Sequence, residues 1–322
     1  FACSALFACS ALFACSASGA QSGRSLTLRL DNDAFNFWQL PALRPDEEYT
    51  SGVHLIYVAA EAPWWARTFR KGLPDCAPGL GACRSKALEF GQDIYTPRRT
   101  RDSVAAPAGA RANAGWLYVG EAVRMLHAKR SDEIAIAVGV TGTPAFAQVT
   151  QRLAHSFAPA FNRPTDWRDQ IGFKPGVVIR YEHAQRITAG GRGALAFDLL
   201  PRARLEVGNV TTAMEAGVRA RAGVHLRHPW LPASANAPME LVLSIGASAR
   251  AVARDLFLDG NTYHDGPRVG HEPFTHSFDW SVTARVRWLT LAYGAVTDSR
   301  AYPRGPATHT WSSLLAGVTF DR

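Results

Sequence analysis

Several long stretches of this sequence alternate between apolar and polar residues, and this alternation constrains the fold more than any other feature. From Leu195 to Val207 most odd-numbered positions are apolar, and charged residues occupy most of the positions between them. The same period of two recurs in 214–224, 241–251 and 281–287. Successive side chains of a β-strand point to opposite faces. Each stretch therefore predicts a strand with one apolar and one polar face.

The length of the predicted strands distinguishes a membrane barrel from a soluble sandwich, because alternation alone fits both. They run for about ten residues or more, against about five or six in globular sheets, and such lengths suit a tilted bilayer crossing. After residue 20 no run of about 18 apolar residues predicts a membrane helix. We place about twelve strands, with centres near residues 28, 55, 90, 120, 136, 179, 200, 217, 245, 280, 292 and 315. The prediction is an all-β fold, a twelve-stranded antiparallel transmembrane β-barrel.

The predicted connections alternate in length, as expected for an outer-membrane barrel with tight periplasmic turns and long outer loops. Short connections fall near residues 127–131 and 189–190, and long ones at 32–48, 96–114, 141–172 and 255–272. Two features fit this scheme less well. Pro201 interrupts a strand that should be fully paired, and the turns at 63–86 and 225–238 are long for the inner side.

Residues 1–20 predict an export signal rather than a part of the barrel. An uncharged hexapeptide of Phe, Ala, Cys, Ser and Leu repeats from Phe1 to Ser16, and residues 18–20 suit a cleavage site. A lipoprotein signal at Cys15 is a less favoured alternative. The chain is therefore divided into a signal-like segment, 1–20, and one barrel domain, 21–322. In an exported protein Cys76 and Cys83 are expected to form a local disulfide, since no second cysteine pair supports a zinc site.

Composition agrees with this assignment and limits the partners. Only 19% of the residues are charged and 47% are hydrophobic, at a mean hydropathy of -0.09. Such values are expected where lipid-facing apolar residues alternate with polar residues of a lumen. The net charge is +8, and four of the 35 basic residues are lysine. A basic protein can bind nucleic acid, an anionic membrane or a phosphorylated ligand, but export excludes nucleic acid. The arginines are therefore expected to line the lumen or to meet lipid phosphate.

One long loop breaks the strand pattern with a helical pattern and carries a candidate base. Between Pro144 and Phe161 apolar residues recur at helical spacing, namely Phe146, Val149, Leu153 and Phe157. Gln151 and His155 are four positions apart, so they share a face of this short predicted helix in an outer loop. Histidine is suited to act as a base near neutral pH, although a lone histidine on a loop helix is more often only a polar surface residue.

A cluster of oxygen-bearing side chains, Asp31-Asn32-Asp33, ends the first predicted strand. Carboxylate and amide oxygens are the ligands that Ca²⁺ prefers in proteins. The cluster is therefore a candidate metal site. A polar turn that caps the strand is the alternative.

These pieces occur with others in an order that resembles a known enzyme family. In sequence they are DNDAF at 31–35, EYTSG at 48–52, GQDIYTP at 91–97, AGWLY at 114–118, GTP at 142–144, QRLAH at 151–155 and WRDQI at 167–171. In this order and spacing they resemble the lipid A 3'-O-deacylases of the Gram-negative outer membrane. The resemblance extends from about Ser25 to Phe320 and is densest in the first half.

The resemblance implies a twelve-stranded barrel whose active site lies between the outer wall and a helix from an outer loop. It also implies a Ca²⁺-dependent esterase with a mechanism like that of secreted phospholipase A2. By position, the implied site comprises Asn32 and Asp33 as catalytic and metal-binding residues, Thr50 and Gln151 as further catalytic residues, Ser51 and Gly52 as oxyanion lining, and His155 as the base. Arg98, Arg99 and Arg101 are expected to bind lipid A phosphate. Where a family representative has a glutamate after the histidine, this sequence reads Ala160-Phe161-Asn162.

The expected function is hydrolysis of the 3'-linked acyl chain of lipid A by water that His155 deprotonates, with Ca²⁺ at the oxyanion. One alternative is a phospholipase-type outer-membrane esterase, which would need a serine nucleophile, and Ser156 is poorly placed beside His155. Another is a non-catalytic pore or structural barrel whose arginines select anions. The expected partners are lipopolysaccharide as substrate and the outer membrane, and the protein is expected to be a monomer.

Overall fold

The structure, a computed structural model, describes residues 24–39, 47–61, 72–98, 106–157, 166–233, 237–261 and 266–320. Its strands are β1 (Arg24–Asn32), β2 (Glu48–Ala59), β3 (Ala82–Thr96), β4 (Ala114–His127), β5 (Arg130–Thr141), β6 (Pro175–Gln185), β7 (Ile187–Arg192), β8 (Leu195–Gly208), β9 (Thr211–Val224), β10 (Glu240–Asp255), β11 (Phe274–Val286), β12 (Leu289–Ser299) and β13 (Thr308–Phe320). The helices of this part are α1 (Ala147–Phe157) and α2 (Leu256–Asp259), with 3-10 turns at Asp33–Phe35 and Thr143–Ala145. The signal-like segment predicted at 1–20 lies outside the described residues.

Antiparallel pairing closes the strands into a barrel. Each strand from β1 to β5 pairs with the next, each strand from β8 to β12 does likewise, and β1 pairs with β13. β6 pairs with β8 and completes the ring. The short β7 continues β6 beyond Arg186 and pairs with the first residues of β8, so the closed barrel has twelve strands. The predicted twelve-stranded antiparallel β-barrel is confirmed.

The break between β6 and β7 explains how Pro201 is accommodated inside β8. On one side β8 pairs with β9, and Pro201 lies opposite Val218. On the other side β6 pairs with 202–208, whereas β7 pairs with 195–199. Pro201 therefore stands beside an interruption in the neighbouring strand. Proline has no N–H to donate to a ladder, and an interrupted ladder is a place that tolerates it.

The side chains follow the predicted alternation. Outward positions of β8 to β10 are exposed and apolar, for example Leu205, Met214 and Leu243, and belong to the lipid-facing band. Inward positions are charged and buried, and their arginines pair with acidic residues of other strands. Such pairs join Arg204 to Glu182 at 2.8 Å, Arg221 to Asp198 at 2.7 Å and Arg250 to Glu206 at 2.6 Å. Arginines thus line the lumen, as the composition predicted.

Aromatic side chains cross the lumen at the end that carries the long loops. Tyr49, Tyr95, Phe257 and Trp311 belong to one buried cluster. The rings of Tyr95 on β3 and Phe257 on α2 have centroids 4.9 Å apart. α2 directly follows β10, and β10 lies far from β3 in the ring of the barrel. Contact between such distant elements requires packing through the interior. The outer half of the lumen is therefore a packed core rather than an open channel.

The opposite end of the barrel is covered by residues 225–233 of the long turn before β10, which we call the periplasmic plug. Trp230 of this turn is buried, and its Nε1 donates a hydrogen bond to His127 O at 2.6 Å. It packs in a cluster with Cys76 and Cys83, which form a disulfide. The predicted disulfide is confirmed. The plug explains why this inner connection is long: it folds against the barrel end instead of only reversing the chain.

The helix predicted between Pro144 and Phe161 is present as α1, and the short 3-10 turn precedes it. Its packing reverses the usual arrangement of an amphipathic helix. Phe146, Val149 and Leu153 are 57–60% exposed, whereas Gln151 is buried. α1 therefore packs on the barrel through small and polar side chains and turns its apolar stripe outward. Neither helix of the described part is long and apolar enough to cross a membrane.

Candidate active site

The end of β1 presents Asn32 at the outer rim of the barrel. Asn32 caps the 3-10 turn Asp33–Phe35, because its Oδ1 accepts a hydrogen bond from Ala34 N at 2.7 Å. Asparagine is a favoured residue for this position. Asp33 is fully buried, and its Oδ2 accepts a hydrogen bond from Glu47 N at 2.7 Å. The cluster does form a polar turn at the end of β1, as the alternative interpretation predicted. Asn32 in this turn also lines a cavity between α1 and the barrel wall.

A β-bulge sets the direction of Thr50. The register between β2 and β3 shifts between Tyr49 and Ser51, so Thr50 is the extra residue. Its side chain is buried, and its Oγ1 lies 2.6 Å from Oγ1 of Thr96. On the other edge of β2, Ser51 lies opposite Asn32 of β1. Bulges commonly re-aim a side chain beside a functional site, and this one brings the β2 motif next to the β1 motif.

Close packing holds α1 against the barrel wall. Gln92 of β3 donates a hydrogen bond from Nε2 to Ala145 O at 2.6 Å. A Cβ added to Gly115 of β4 would lie 2.5 Å from Cβ of Ala147, so glycine is needed where the helix meets the strand. Trp167 packs in a small buried cluster with Ala147. These contacts fix the start of α1 over β3 and β4.

The three motifs enclose a cavity of about 50 Å³ between α1 and the barrel wall. Its lining consists of Asn32, Ala34, Thr50, Ser51, Ile94, Thr150, Gln151, Ala154 and His155. A cavity of this size holds a few water molecules. The orientation of the Gln151 amide is set by Trp167, whose Nε1 donates a hydrogen bond to Oε1 at 2.9 Å. The structure therefore brings Asn32, Thr50, Ser51, Gln151 and His155 together in one place.

The remaining residues predicted for the site lie elsewhere. Asp33 and Gly52 are not part of the cavity lining. A Cβ on Gly52 would lie 2.0 Å from Oη of Tyr49, so this glycine makes room for that ring. The Arg98 side chain is 61% exposed, and its Nε lies 3.6 Å from the Glu47 carboxylate. The predicted phosphate ligands Arg99 and Arg101, together with Asn162, lie outside the described residues.

The lining has the donor chemistry of a calcium site but few charges. Asn32, Thr50 and Gln151 contribute neutral side-chain oxygens, and Asp33 is the carboxylate adjacent to Asn32 in sequence. Calcium takes about six to eight oxygen ligands, including water, and its affinity rises with the number of carboxylates. Within the described ranges no group of three or more His, Cys, Asp or Glu residues is arranged to hold a metal ion. The lining therefore offers oxygen ligands of the type that a hard cation prefers, but few carboxylates.

A buried polar network that the sequence did not predict involves residues next to the cavity residues in the chain. Tyr49 Oη lies 2.9 Å from carboxylate oxygens of both Asp31 and Asp93. His54 Nε2 lies 3.3 Å from a carboxylate oxygen of each of the same two residues. Asp31 and Asp93 belong to the quoted motifs, so the motifs carried a signal for this network. Asp31 and Tyr49 of this network immediately precede Asn32 and Thr50 of the cavity lining in the chain.

Comparison with known proteins agrees with the sequence motifs. Residues 1–320 match the sequence family described as Outer membrane protein LpxR. The structure of LpxR from Salmonella typhimurium superposes with a TM-score of 0.74, at 18% identity, and the match covers 92% of this chain and 100% of that chain. The β domain of the Bordetella autotransporter BrkA matches with a TM-score of 0.46 at 9% identity, over 93% of this chain and 100% of that chain. No curated protein sequence matches the chain. This chain therefore belongs to the LpxR outer membrane protein family and is a β-barrel protein of the outer membrane.

Proposed function

We propose that this protein is an outer-membrane esterase that hydrolyses the 3'-linked acyl chain of lipid A. The observation that carries the proposal is the cavity in which His155 and Gln151 of α1 meet Asn32, Thr50 and Ser51 of the barrel wall. The cavity lies at the end of the barrel with the long loops, which in outer-membrane barrels faces outward. Lipid A occupies the outer leaflet there, and membership of the LpxR family supports the same substrate.

The cavity suits attack by water rather than by Ser156, the serine next to His155 in sequence. His155 is the only histidine among the lining residues and is the residue type suited to deprotonate water near neutral pH. Ser156 is exposed, and its Oγ donates a hydrogen bond to Leu153 O at 2.7 Å within the same helix. A serine so engaged is poorly placed to act as the nucleophile of a phospholipase-type esterase.

In the proposed reaction each residue has a distinct task. His155 accepts a proton from the attacking water, which adds to the ester carbonyl, and then returns the proton to the departing alkoxide. Gln151, held by Trp167, and Thr50, held by Thr96, shape the space in which the water is positioned. Asn32, with the neutral oxygens of Thr50 and Gln151, would hold calcium in this cavity, whereas Asp33, predicted as its partner, lies outside the lining. The chemistry that bound calcium would supply is stabilisation of negative charge on the carbonyl oxygen.

The alternative of an anion-selective pore is disfavoured by the interior. Tyr95 and Phe257 meet across the lumen, and Trp230 is buried in the periplasmic plug. Selective channels need a continuous aqueous path. The buried arginines instead form ion pairs with acidic residues of other strands, so their charge is neutralised locally.

The proposal is tested with purified protein refolded in detergent and mixed with lipid A, with mass spectrometry of the products. The expected product is lipid A that has lost its 3'-linked acyl chain, together with one free fatty acid. Ser156→Ala should retain the wild-type rate. Phospholipid vesicles serve as the competing substrate, and hydrolysis of phospholipid but not of lipid A would overturn the proposal.

A calcium titration of the same reaction tests the metal separately. A chelator should abolish activity and added calcium should restore it. Half-maximal rescue is expected near roughly 0.1–1 mM calcium, because sites with few carboxylates bind in this range or more weakly. Activity that persists at full rate in excess chelator would contradict the role of calcium. It would not contradict the role of His155 as the base, which the chelator does not test.

A further inference from the structure

The start of β2 adopts a backbone conformation that needs external support. Glu48, its first residue, has a φ of 62°. This value lies in the left-handed region, which residues other than glycine and asparagine seldom adopt. Two residues later the chain contains the bulge that directs Thr50 into the cavity. Residues in sparsely populated regions persist only where their surroundings determine them, and they cluster at functional sites. The question is what holds Glu48.

The Glu48 carboxylate is buried and is held by two residues from separate loops. Tyr302, between β12 and β13, donates a hydrogen bond from Oη to Oε1 at 2.7 Å. Arg111, between β3 and β4, places Nη1 3.6 Å from Oε2. Burial and the neighbouring Glu48 carboxylate raise the pKa of Tyr302 well above its ordinary value, so this hydroxyl remains a donor at any physiological pH.

Arg111 is itself packed against an aromatic ring of β3. It is 1% exposed, and its guanidinium carbon lies 4.5 Å from the centroid of the Tyr95 ring. Tyr95 lies opposite Tyr49 across the β2–β3 pairing, so Arg111 is tied to the strand pair that contains the bulge. Tyr49, which immediately precedes the bulge, is anchored by its hydroxyl, whose oxygen lies 2.9 Å from carboxylate oxygens of two buried aspartates. Thr50 therefore follows two successive residues that are both held by buried polar contacts.

We propose that Glu48, Arg111 and Tyr302 form a positioning cluster that holds the left-handed start of β2 and thereby directs Thr50 into the cavity. The inference rests on the proposed esterase function for its kinetic consequence. None of the three residues lines the cavity, so they act through the β2 backbone rather than on the substrate. Their loss is therefore expected to lower kcat and to leave KM for lipid A nearly unchanged.

The decisive comparison is between Glu48→Ala and Glu48→Gly. Both remove the carboxylate, but only glycine adopts a positive φ without a steric penalty. Glu48→Ala should lower kcat at least tenfold with KM within twofold, whereas Glu48→Gly should retain several times more activity than Glu48→Ala. Tyr302→Phe should fall between the wild type and Glu48→Ala. Tyr181→Phe, which removes a comparable phenol–carboxylate hydrogen bond to Asp132 far from the site, should match the wild type.

A second readout does not depend on the reaction. Amide hydrogen exchange of residues 48–52 should be at least tenfold faster in Glu48→Ala than in the wild type and unchanged in Tyr181→Phe. Variants are compared as folded barrels, identified by heat-modifiable mobility in gels. Equal kcat for Glu48→Ala and wild type, equal loss in the Ala and Gly variants, or unchanged exchange would overturn the inference. An inactive wild type would instead refute the proposed function, and the exchange data would then decide the inference alone.

Discussion

At the scale of single residues, Gly52 illustrates how a motif position can matter for a reason other than the one first expected. The resemblance placed it in the oxyanion lining, but the structure surrounds it with Tyr49 and His54. An added Cβ would lie 2.0 Å from Tyr49 Oη and 2.8 Å from His54 Nε2. The glycine thus leaves room for the buried polar network of Tyr49 and His54.

Gly52→Ala is therefore expected to destabilise the barrel. Forcing one methyl group into a packed interior typically costs about 1–3 kcal/mol of unfolding free energy. Urea unfolding of the refolded protein, followed by tryptophan fluorescence, measures the change. Gly120→Ala is the matched control, because the nearest heavy atom to its added Cβ lies at 3.5 Å. Equal stability of the two variants would show that Tyr49 moves aside without cost.

Much of the candidate site could be anticipated from residue types and spacing. The four-residue interval between Gln151 and His155 placed them on one helix face, and both line the cavity. The residues that orient them could not be anticipated, because Trp167 reaches Gln151 through tertiary packing that no local pattern encodes. The left-handed conformation of Glu48 was equally invisible, since it is imposed by Arg111 and Tyr302 from distant loops.

Among the secondary-structure elements, the positions of the strands could be predicted from the sequence, whereas their bulges and interruptions could not. All twelve predicted strand centres fall within strands of the barrel, and the period-two alternation arises because each strand separates lipid from lumen. The short connection predicted at 189–190 was wrong, because these residues belong to β7. The bulge at Thr50 and the interruption at Arg186 depend on the register with neighbouring strands. Periodicity of one strand carries no information about that register. The apolar stripe of α1 was identified correctly, but its outward direction depends on the close contact of the helix with β4.

Gly115→Ala tests the contact between α1 and β4. Its Cβ would lie 2.5 Å from Ala147 Cβ and 3.1 Å from Ala145 Cβ, so the start of α1 must move away from the wall. A displacement of His155 by about 1 Å can lower the rate by about a hundredfold. We expect at least a tenfold loss of lipid A hydrolysis in a barrel that still folds. Gly120→Ala on the same strand should retain activity, and full activity of Gly115→Ala would show that the helix position is not critical.

At the level of the whole barrel, described side chains pack inside both ends, and the periplasmic end contains a partly buried histidine. His228 of the plug donates from Nε2 to Ala128 O at 2.9 Å, and its Nδ1 accepts hydrogen bonds from the backbone N–H groups of Trp230 and Leu231. Both nitrogens are thus used by the neutral ring. Burial, assisted by the charges of nearby arginines, lowers the pKa of His228 from 6.5 to about 4.

The plug should therefore loosen in mild acid. A histidine whose pKa is lowered by folding binds a proton more readily when its segment opens, so stability is lost as the pH falls from about 6.5 towards 4. Amide exchange at Trp230 and Leu231, corrected for intrinsic rates, should accelerate over this interval. His228→Gln should remove most of that pH dependence. Protection that stays constant from pH 7 to pH 4 in the wild type would contradict the neutral-ring arrangement.

His155 is proposed to act as the base when an acyl chain is removed from lipid A, and this role is tested by the lipid A that membranes carrying His155→Ala contain. Lipid A is extracted from outer membranes that contain equal amounts of folded wild type, His155→Ala or His276→Ala, and is analysed by mass spectrometry. His276 is exposed and serves as the matched control. The wild type and His276→Ala should yield lipid A lacking the 3'-linked chain, and His155→Ala should yield the intact molecule, because loss of a general base costs about 10²–10⁴ in rate. Loss of the acyl chain in membranes that contain His155→Ala would contradict the role of His155 as the base.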